Sequence, residues 1–311
     1  MNPSRFKKVL FPTDFSKMSG SALKTAIEIC KRQQAELTLV HVLDYYKFIS
    51  SDIIFTSGKI TNDYINYSTE NLMSLVSHLI DKTGLKIHGI TKSGDISDEI
   101  CKTASELNSD LIIMGTHGTS GLREFFMGSN AFRVVKNAPC PVLTIRGDWE
   151  KTTFDKIIFP VRLIEGTLEK YEFVKPVITK NDSKLIIAGL TGKNKPADVR
   201  KIKKLVEGLK KQLKPDNIKY SVRYLSSSNF ADRILSTAKV NNADLIVVTA
   251  NLDYEFKDFF MGVFAQQIIN HSKYPVLSIR HDLEKIKPDT ILKDKEKLSS
   301  EDYLKLVLKT V

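Results

Sequence analysis

The chain has 311 residues, 42% of them hydrophobic, which suits two ordinary globular cores better than one. It holds no run of about 18 apolar residues, so a membrane-spanning helix is not expected. Lys and Arg outnumber Asp and Glu by 47 to 36, and the excess is one-sided: 17 against 16 in residues 1–150, and 30 against 20 in the remainder.

The opening stretch, MNPSRFKKVLFPTDF, runs from basic residues straight into a strand. It lacks the apolar core and small-residue cleavage site of a secretory leader, so a cytoplasmic location is expected. KVLFP (8–12) reads as a short apolar strand. A helix over 16–34 carries Leu23, Ala26, Ile27 and Cys30 at helical spacing. ELTLVHVL (36–43) is a second strand. A polar segment, 45–61, leads to a helix with Leu72, Leu75, Val76 and Leu79 on one stripe. Strand 85–92, helix 96–108, strand 110–115, helix 129–138 and strand 141–146 complete the first half. Nearly continuous apolar strands alternating with helices predict an α/β fold with a parallel sheet covered on both faces.

The second half repeats the first. FDKIIFP (154–160) matches FKKVLFP (6–12), and KLIIAGL (184–190) matches LTLVHVL (37–43). A helix over 197–213, strand 218–225, helix 230–240 and strand 244–249 follow, then a last helix and strand 275–280. DLIIMGTHGTSGLREFFMGSNAFRVVKNAPCPVLTIR (110–146) aligns without a gap with DLIVVTANLDYEFKDFFMGVFAQQIINHSKYPVLSIR (244–280). A gap-free repeat of this length means two copies of one domain. The expected divisions are 1–148 and 153–281, joined by a short polar linker, with a charged tail over 282–311. In the tail Ser300 caps a short helix with Tyr303, Leu304, Val307 and Leu308 on its stripe.

Cys30, Cys101 and Cys140 show no metal-ligand spacing and no CxxC, and the six histidines are scattered. Neither a metal centre nor a redox pair is expected. In RKIKKLVEGLKK (200–211) the apolar Ile202, Leu205, Val206 and Leu209 form one stripe and the lysines take the other faces. No aromatic interleaving accompanies them in sequence, so the reading is a solvated helix, with neither nucleic acid nor membrane as partner.

Two loops of the first half are built for a ligand. In an open parallel sheet, ligands sit at the carboxyl ends of strands where the strand order reverses. Pro12, Thr13 and Asp14 follow the first strand directly; Gly115, Thr116, His117 and Gly118 follow the fourth. Gly115 and Gly118 permit close backbone approach. Gly128 and Ser129 open the next helix, whose free N–H groups attract phosphate, with the Ser129 hydroxyl and Asn130 as further donors. Asp14 suits a ribose hydroxyl or a base edge better than phosphate; capping of the first helix is its alternative role. The backbone at Val42 can read an adenine edge. Neither GxxxxGK[ST] nor GxGxxG is present.

Gly115-x2-Gly118-x9-Gly128-Ser129, with FPTDFS, VHVLD and PVLTIR, resembles the nucleotide motif of the universal stress protein family. The resemblance covers nearly all of 1–146 and, more weakly, 154–280. It implies two tandem, doubly wound, Rossmann-like domains, each a five-stranded parallel sheet in the order 3-2-1-4-5. It implies ATP as ligand, alone or with Mg2+. By motif position it adds Met114 and Ala131 to the site, beside Pro12, Thr13, Asp14, Val42, Gly115, His117, Gly118, Gly128, Ser129 and Asn130. It also implies pairing of domains through their last strands, internally as a pseudo-dimer or between chains as a homodimer.

The second copy departs at the motif. Pro160-Val161-Arg162 stands for Pro-Thr-Asp, Thr249 and Leu252 for the loop glycines, and Val263 for the serine. A branched apolar residue at the helix start crowds a phosphate, so this half is expected not to bind ATP in the family manner. The overall expectation is an ATP-binding regulatory protein of the stress response, with one competent site and a protein partner. Its alternatives are a slow ATPase or phosphotransferase, for which no base–nucleophile pair is legible, and a nucleotide-free scaffold.

Overall fold

A computed structural model describes residues 6–16, 19–44, 58–116, 127–193, 195–250, 252–253, 260–261 and 263–280. The predicted tail helix and most of the polar segment 45–61 lie outside them. The first half comprises β1 (Lys8–Pro12), α1 (Gly20–Gln33), β2 (Glu36–Asp44), α2 (Gly58–Thr83), β3 (Ile87–Gly94), α3 (Ile96–Glu106), β4 (Leu111–Gly115), α4 (Ser129–Asn137) and β5 (Val142–Ile145). The second comprises β6 (Lys156–Val161), α5 (Lys170–Asn181), β7 (Lys184–Thr191), α6 (Pro196–Leu213), β8 (Tyr220–Ser226), α7 (Phe230–Asn241), β9 (Leu245–Thr249), the two-residue strands β10 (Leu252–Asp253) and β11 (Phe260–Met261), α8 (Val263–His271) and β12 (Val276–Ile279).

The amphipathic spacing explains the helices. In α1, Ala22, Thr25, Ala26, Ile29, Cys30 and Gln33 are buried, at the 3–4 residue intervals of one helix face. The helix stops where Gln34 takes a left-handed conformation, φ 55°, and its N–H returns to the carbonyls of Cys30 and Lys31. The central strands are buried on both faces, which is why KVLFP and LIIMG read as uninterrupted apolar runs.

Ten strands form one sheet in the order β3-β2-β1-β4-β5-β12-β9-β6-β7-β8. Within each half the pairings are parallel, and the order is third, second, first, fourth, fifth. The halves meet where β5 and β12 run antiparallel, with Leu143 opposite Leu277. Residues 1–281 group as one compact unit. Across the seam Gln33 donates from Nε2 to the Pro176 carbonyl at 2.7 Å, and Trp149 stacks edge-on against Tyr274 at 6.2 Å.

The repeat has a structural reason at its first residue. The Asp110 carboxylate accepts from the backbone N–H groups of Lys7 and Lys8 at 2.7 and 2.9 Å. Asp244 does the same for Asp155 and Lys156 at 3.1 and 3.0 Å. Each aspartate satisfies backbone donors at the start of its half's first strand.

Sequence periodicity passes over one helix. Lys170–Asn181 contains Pro176, which removes an N–H and argues against a helix interior. Burial of Tyr171, Val174, Val177 and Ile178 on one side holds the helix together regardless.

A polar clasp links α3 to α4. Asp95 caps α3, accepting from the N–H groups of Ser97 and Asp98, and receives Arg133 Nη1 at 2.7 Å. Burial alone would raise its pKa, but the bonds from Arg133, Ser97 and Asp98 outweigh it and bring it down to about 2. A carboxylate depressed in the fold stabilises above its unfolded pKa and loses that contribution as pH falls. Asp95→Ala is therefore expected to cost on the order of 1 kcal/mol at pH 7 and little near pH 2, as read from urea midpoints at the two pH values.

Candidate functional site

The strand order reverses between β1 and β4, and the two loops singled out in the sequence leave the sheet there. Pairing of Val9 with Leu111 and Leu10 with Ile112 carries Pro12 up to the level of Met114. The chain after β1 turns sharply. Thr13 donates its N–H to the Val40 carbonyl at 2.9 Å, and its own carbonyl lies 2.8 Å from His41 Nδ1. Phe15 N–H donates to Thr13 Oγ1 at 3.1 Å, and Ser16 N–H to Asp14 Oδ1 at 3.0 Å. Phe15 has a φ of 60°, the left-handed region, which side chains other than glycine enter at a cost of about 1–3 kcal/mol. Its ring rests 4.5 Å from that of His41. The alternative role for Asp14 fails on this geometry: α1 begins at Gly20 with Ser19 as its N-cap, and Asp14 instead closes the turn on Ser16.

The opposite wall is the start of α4. Gly128 is its N-cap, in an extended conformation, and contributes no side-chain cap of its own. The N–H groups of the first turn have no intrahelical acceptors, and together they carry the positive end of the helix dipole. Gly128 N–H donates to the Thr116 carbonyl at 2.8 Å, and Thr116 N–H to the Ile145 carbonyl at 3.0 Å, so Thr116, directly after β4, is tied both to the helix start and to the sheet. A Cβ on Gly128 would come within 3.4 Å of that Thr116 oxygen. Thr116 and His41 hold the walls in place. The sequence offered His41 only as the neighbour of Val42 within VHVLD.

The structure brings Pro12, Thr13, Asp14, Met114, Gly115, Gly128, Ser129, Asn130 and Ala131 to the same end of the sheet. Val42 lies one strand further out, paired with Lys92. Met114 and Ala131 are buried in the core, together with Met127. His117 and Gly118 lie outside the described residues.

In the second half the corresponding positions are occupied differently. Val161 is buried at the end of β6, Thr249 ends β9, and Val263, 65% exposed, begins α8. The hydroxyl, the flexible loop residue and the serine of the first half are all replaced.

Burial pushes the Cys30 and Cys101 thiols up to about 12 and Cys140 higher still, so none is a thiolate at neutral pH. Among the described residues no group of three or more His, Cys, Asp and Glu could hold a metal ion, and no helix is long and apolar enough to cross a membrane.

Comparison with known proteins covers both halves. The profile of the universal stress protein family matches residues 5–146 and 181–280. Universal stress protein MJ0531 of Methanocaldococcus jannaschii is 35% identical over 141 residues, 45% of this chain and 82% of that protein. Universal stress protein YxiE of Bacillus subtilis is 32% identical over 156 residues, 45% of this chain and 99% of that protein. The crystal structure of a universal stress protein from Archaeoglobus fulgidus shares the fold with a TM-score of 0.70 at 22% identity, covering 88% of this chain and 98% of that one. With the family profile matched in two segments that together exceed half the sequence, and with two five-stranded parallel arrays in one sheet, the chain belongs to the universal stress protein family as a tandem member.

Proposed function

We propose that the first half binds ATP in the crevice after β1 and β4, and that the chain acts as a nucleotide-responsive regulatory protein of the stress response. The observation that carries this reading is the start of α4. A helix opens at Gly128, which has no side chain to cap it, at the same end of the sheet as the Thr13–Asp14 turn and where the strand order reverses. Its first-turn N–H groups and the Ser129 hydroxyl are donors suited to phosphate. Asp14 supplies a carboxylate for the ribose hydroxyls, and the rim near Val42 takes the base. Mg2+ would arrive on the phosphates, because no described cluster of carboxylates holds it independently.

In this reading ATP is a ligand whose presence alters the surface around the start of α4. A partner responds only if it prefers one of the two states. The second half, with Arg162 and Val263 at the matching positions, leaves one ATP site per chain.

The test is calorimetric titration of ATP with Mg2+ into the wild type and into Gly118→Leu, which copies Leu252 of the second half. One ATP per chain is expected, with at least a hundredfold weaker binding in the variant. Absence of binding to the wild type would overturn the proposal and leave a protein-interaction scaffold as the better account.

A further inference from the structure

The lysine-rich helix α6 has no aromatics of its own, and the expectation of a plain solvated face rests on that lack. The fold supplies rings from another element. β8 is the last strand of the sheet and pairs with β7 alone among the described strands, so its outer edge is open. Tyr220, Val222 and Tyr224 alternate onto one of its faces, and the two tyrosines are 41% and 45% exposed. That is the face covered by α6. Tyr224 stands opposite Gly189 of β7, where a Cβ would come within 3.0 Å of Tyr224 Cδ1 and 2.8 Å of Ile202 in α6. The missing side chain beds one edge of the ring against the sheet and leaves the rest open.

Lysines line up beside the rings. Lys203 Nζ lies 5.9 Å from the centroid of the Tyr224 ring. Lys210, bonded to Glu207 at 2.6 Å, is raised above its ordinary value by that bond first and by the Tyr224 and Tyr220 phenols with it. Lys203, Lys210 and Lys214 share one flank of the helix, next to the buried stripe of Ile202, Val206, Leu209 and Leu213. At about 1.5 Å per residue this row is roughly 16 Å long. At about 3.3 Å per residue the two tyrosines are roughly 13 Å apart. A cationic row and a row of rings therefore run side by side over the same length.

Charge and chemistry select the occupant. Between Lys195 and Ser226 stand ten Lys and Arg against three Asp and Glu. Glu207 is held by Lys210, and Asp216 by Lys175 and Tyr171. Lys201, Lys204, Lys211 and Lys214 are exposed and form no ion pair among the described residues. The Lys210–Glu207 pair is a surface pair of small net worth, so a phosphate can replace the carboxylate. A membrane surface takes a helix by its apolar face, but that of α6 is turned onto the sheet, with all four stripe residues 0% exposed. Duplex recognition sends an element into a groove, whereas these rings lie at a sheet margin. Stacking on exposed rings beside a cationic track is the way a single strand is held.

We propose that the margin formed by α6 and β8 binds single-stranded nucleic acid, with bases stacked on Tyr220 and Tyr224 and phosphates drawn along Lys203, Lys210 and Lys214. The surface belongs to the second half and does not depend on ATP binding in the first.

The experiment follows the fluorescence anisotropy of a labelled oligouridylate of about twelve residues as the full chain is added. Saturable binding is expected, with affinity falling as salt rises. Tyr220→Ala and Tyr224→Ala should each weaken it roughly tenfold, and Tyr224→Phe, which keeps the ring, should preserve it. Replacing Lys203, Lys210 and Lys214 together by Gln should flatten the logarithmic salt slope by about two. A duplex of the same length and phosphatidylserine vesicles should bind more weakly, and excess ATP with Mg2+ should displace nothing. Circular dichroism identifies any variant that loses its fold; Tyr220→Ala, away from the Gly189 contact, carries the test if Tyr224→Ala does. No saturable binding, undiminished binding by the alanine variants, equal binding of duplex or vesicles, or displacement by ATP would overturn the proposal.

Discussion

Lys170→Met is expected to stabilise the protein, by on the order of 2 kcal/mol at pH 6, with the gain shrinking as pH rises toward 10. Lysine is protonated in the unfolded chain up to about pH 10.4. In the fold its value falls to about 7, through burial first and Arg162 second. Below pH 7 both states carry the charge, and the fold bears the whole cost of burying it. Between 7 and 10.4 only the unfolded chain holds the proton, so the cost declines with each pH unit. Methionine removes that cost and forfeits the hydrogen bond to the Pro160 carbonyl at 2.6 Å, which offsets part of the gain. A thermal midpoint a few degrees higher at pH 6, converging on the wild type near pH 10, is the expected pattern. A midpoint lowered at pH 6 would mean that the ammonium is compensated in the fold and that burial is not its dominant condition.

The second large effect is at the seam. Leu277→Asp places a carboxylate in a position 1% exposed, opposite Leu143 in the antiparallel pair that joins the halves. An unpaired buried charge costs roughly 3–5 kcal/mol, a large share of the stability of any domain. Both halves are expected to lose stability together, because β5 and β12 belong to one ten-stranded sheet. The chain has one tryptophan, and Trp149 lies at the seam against Tyr274. Urea unfolding should therefore give coincident transitions by Trp149 emission and far-ultraviolet circular dichroism, shifted equally to lower urea. If the dichroism instead separates into two steps while Trp149 reports only one, the halves fold independently.

Most of the architecture was legible because it rests on local pattern. Apolar strand runs, helical stripes and the gap-free alignment of 110–146 with 244–280 fix two copies of one α/β unit. The start of α4 was legible to the residue, since Gly-Ser before an amphipathic run is a helix opening. Less legible was whatever depends on chain return. The helix at 170–181 was hidden by Pro176, and its place in the fold comes from packing against the sheet. The meeting of Lys170 with Pro160 depends on the loop between them, whose path no periodicity encodes. Asp14 is another such case. Helix capping was the alternative to a ligand role for it, but the left-handed Phe15 turns the chain early and gives its carboxylate the amide of Ser16. Pairing of β5 with β12 was expected only through family resemblance, and its antiparallel sense was not expected at all, because two four-residue apolar strands carry no directional signal of their own.

That antiparallel seam has a consequence for how the chain can be read by others. Strands that are parallel within each half and opposed across the join point their carboxyl ends to opposite margins of the sheet. The loops that follow the strands of one half therefore leave the sheet at the margin opposite to those of the other. In a symmetric pair of separate chains every substitution is written into both sites at once. Here each margin has its own codons, so Asp14 and Ser129 at one and Arg162 and Val263 at the other can differ without constraint from each other. A single chain holding the fold twice thus carries two margins whose residues can change independently.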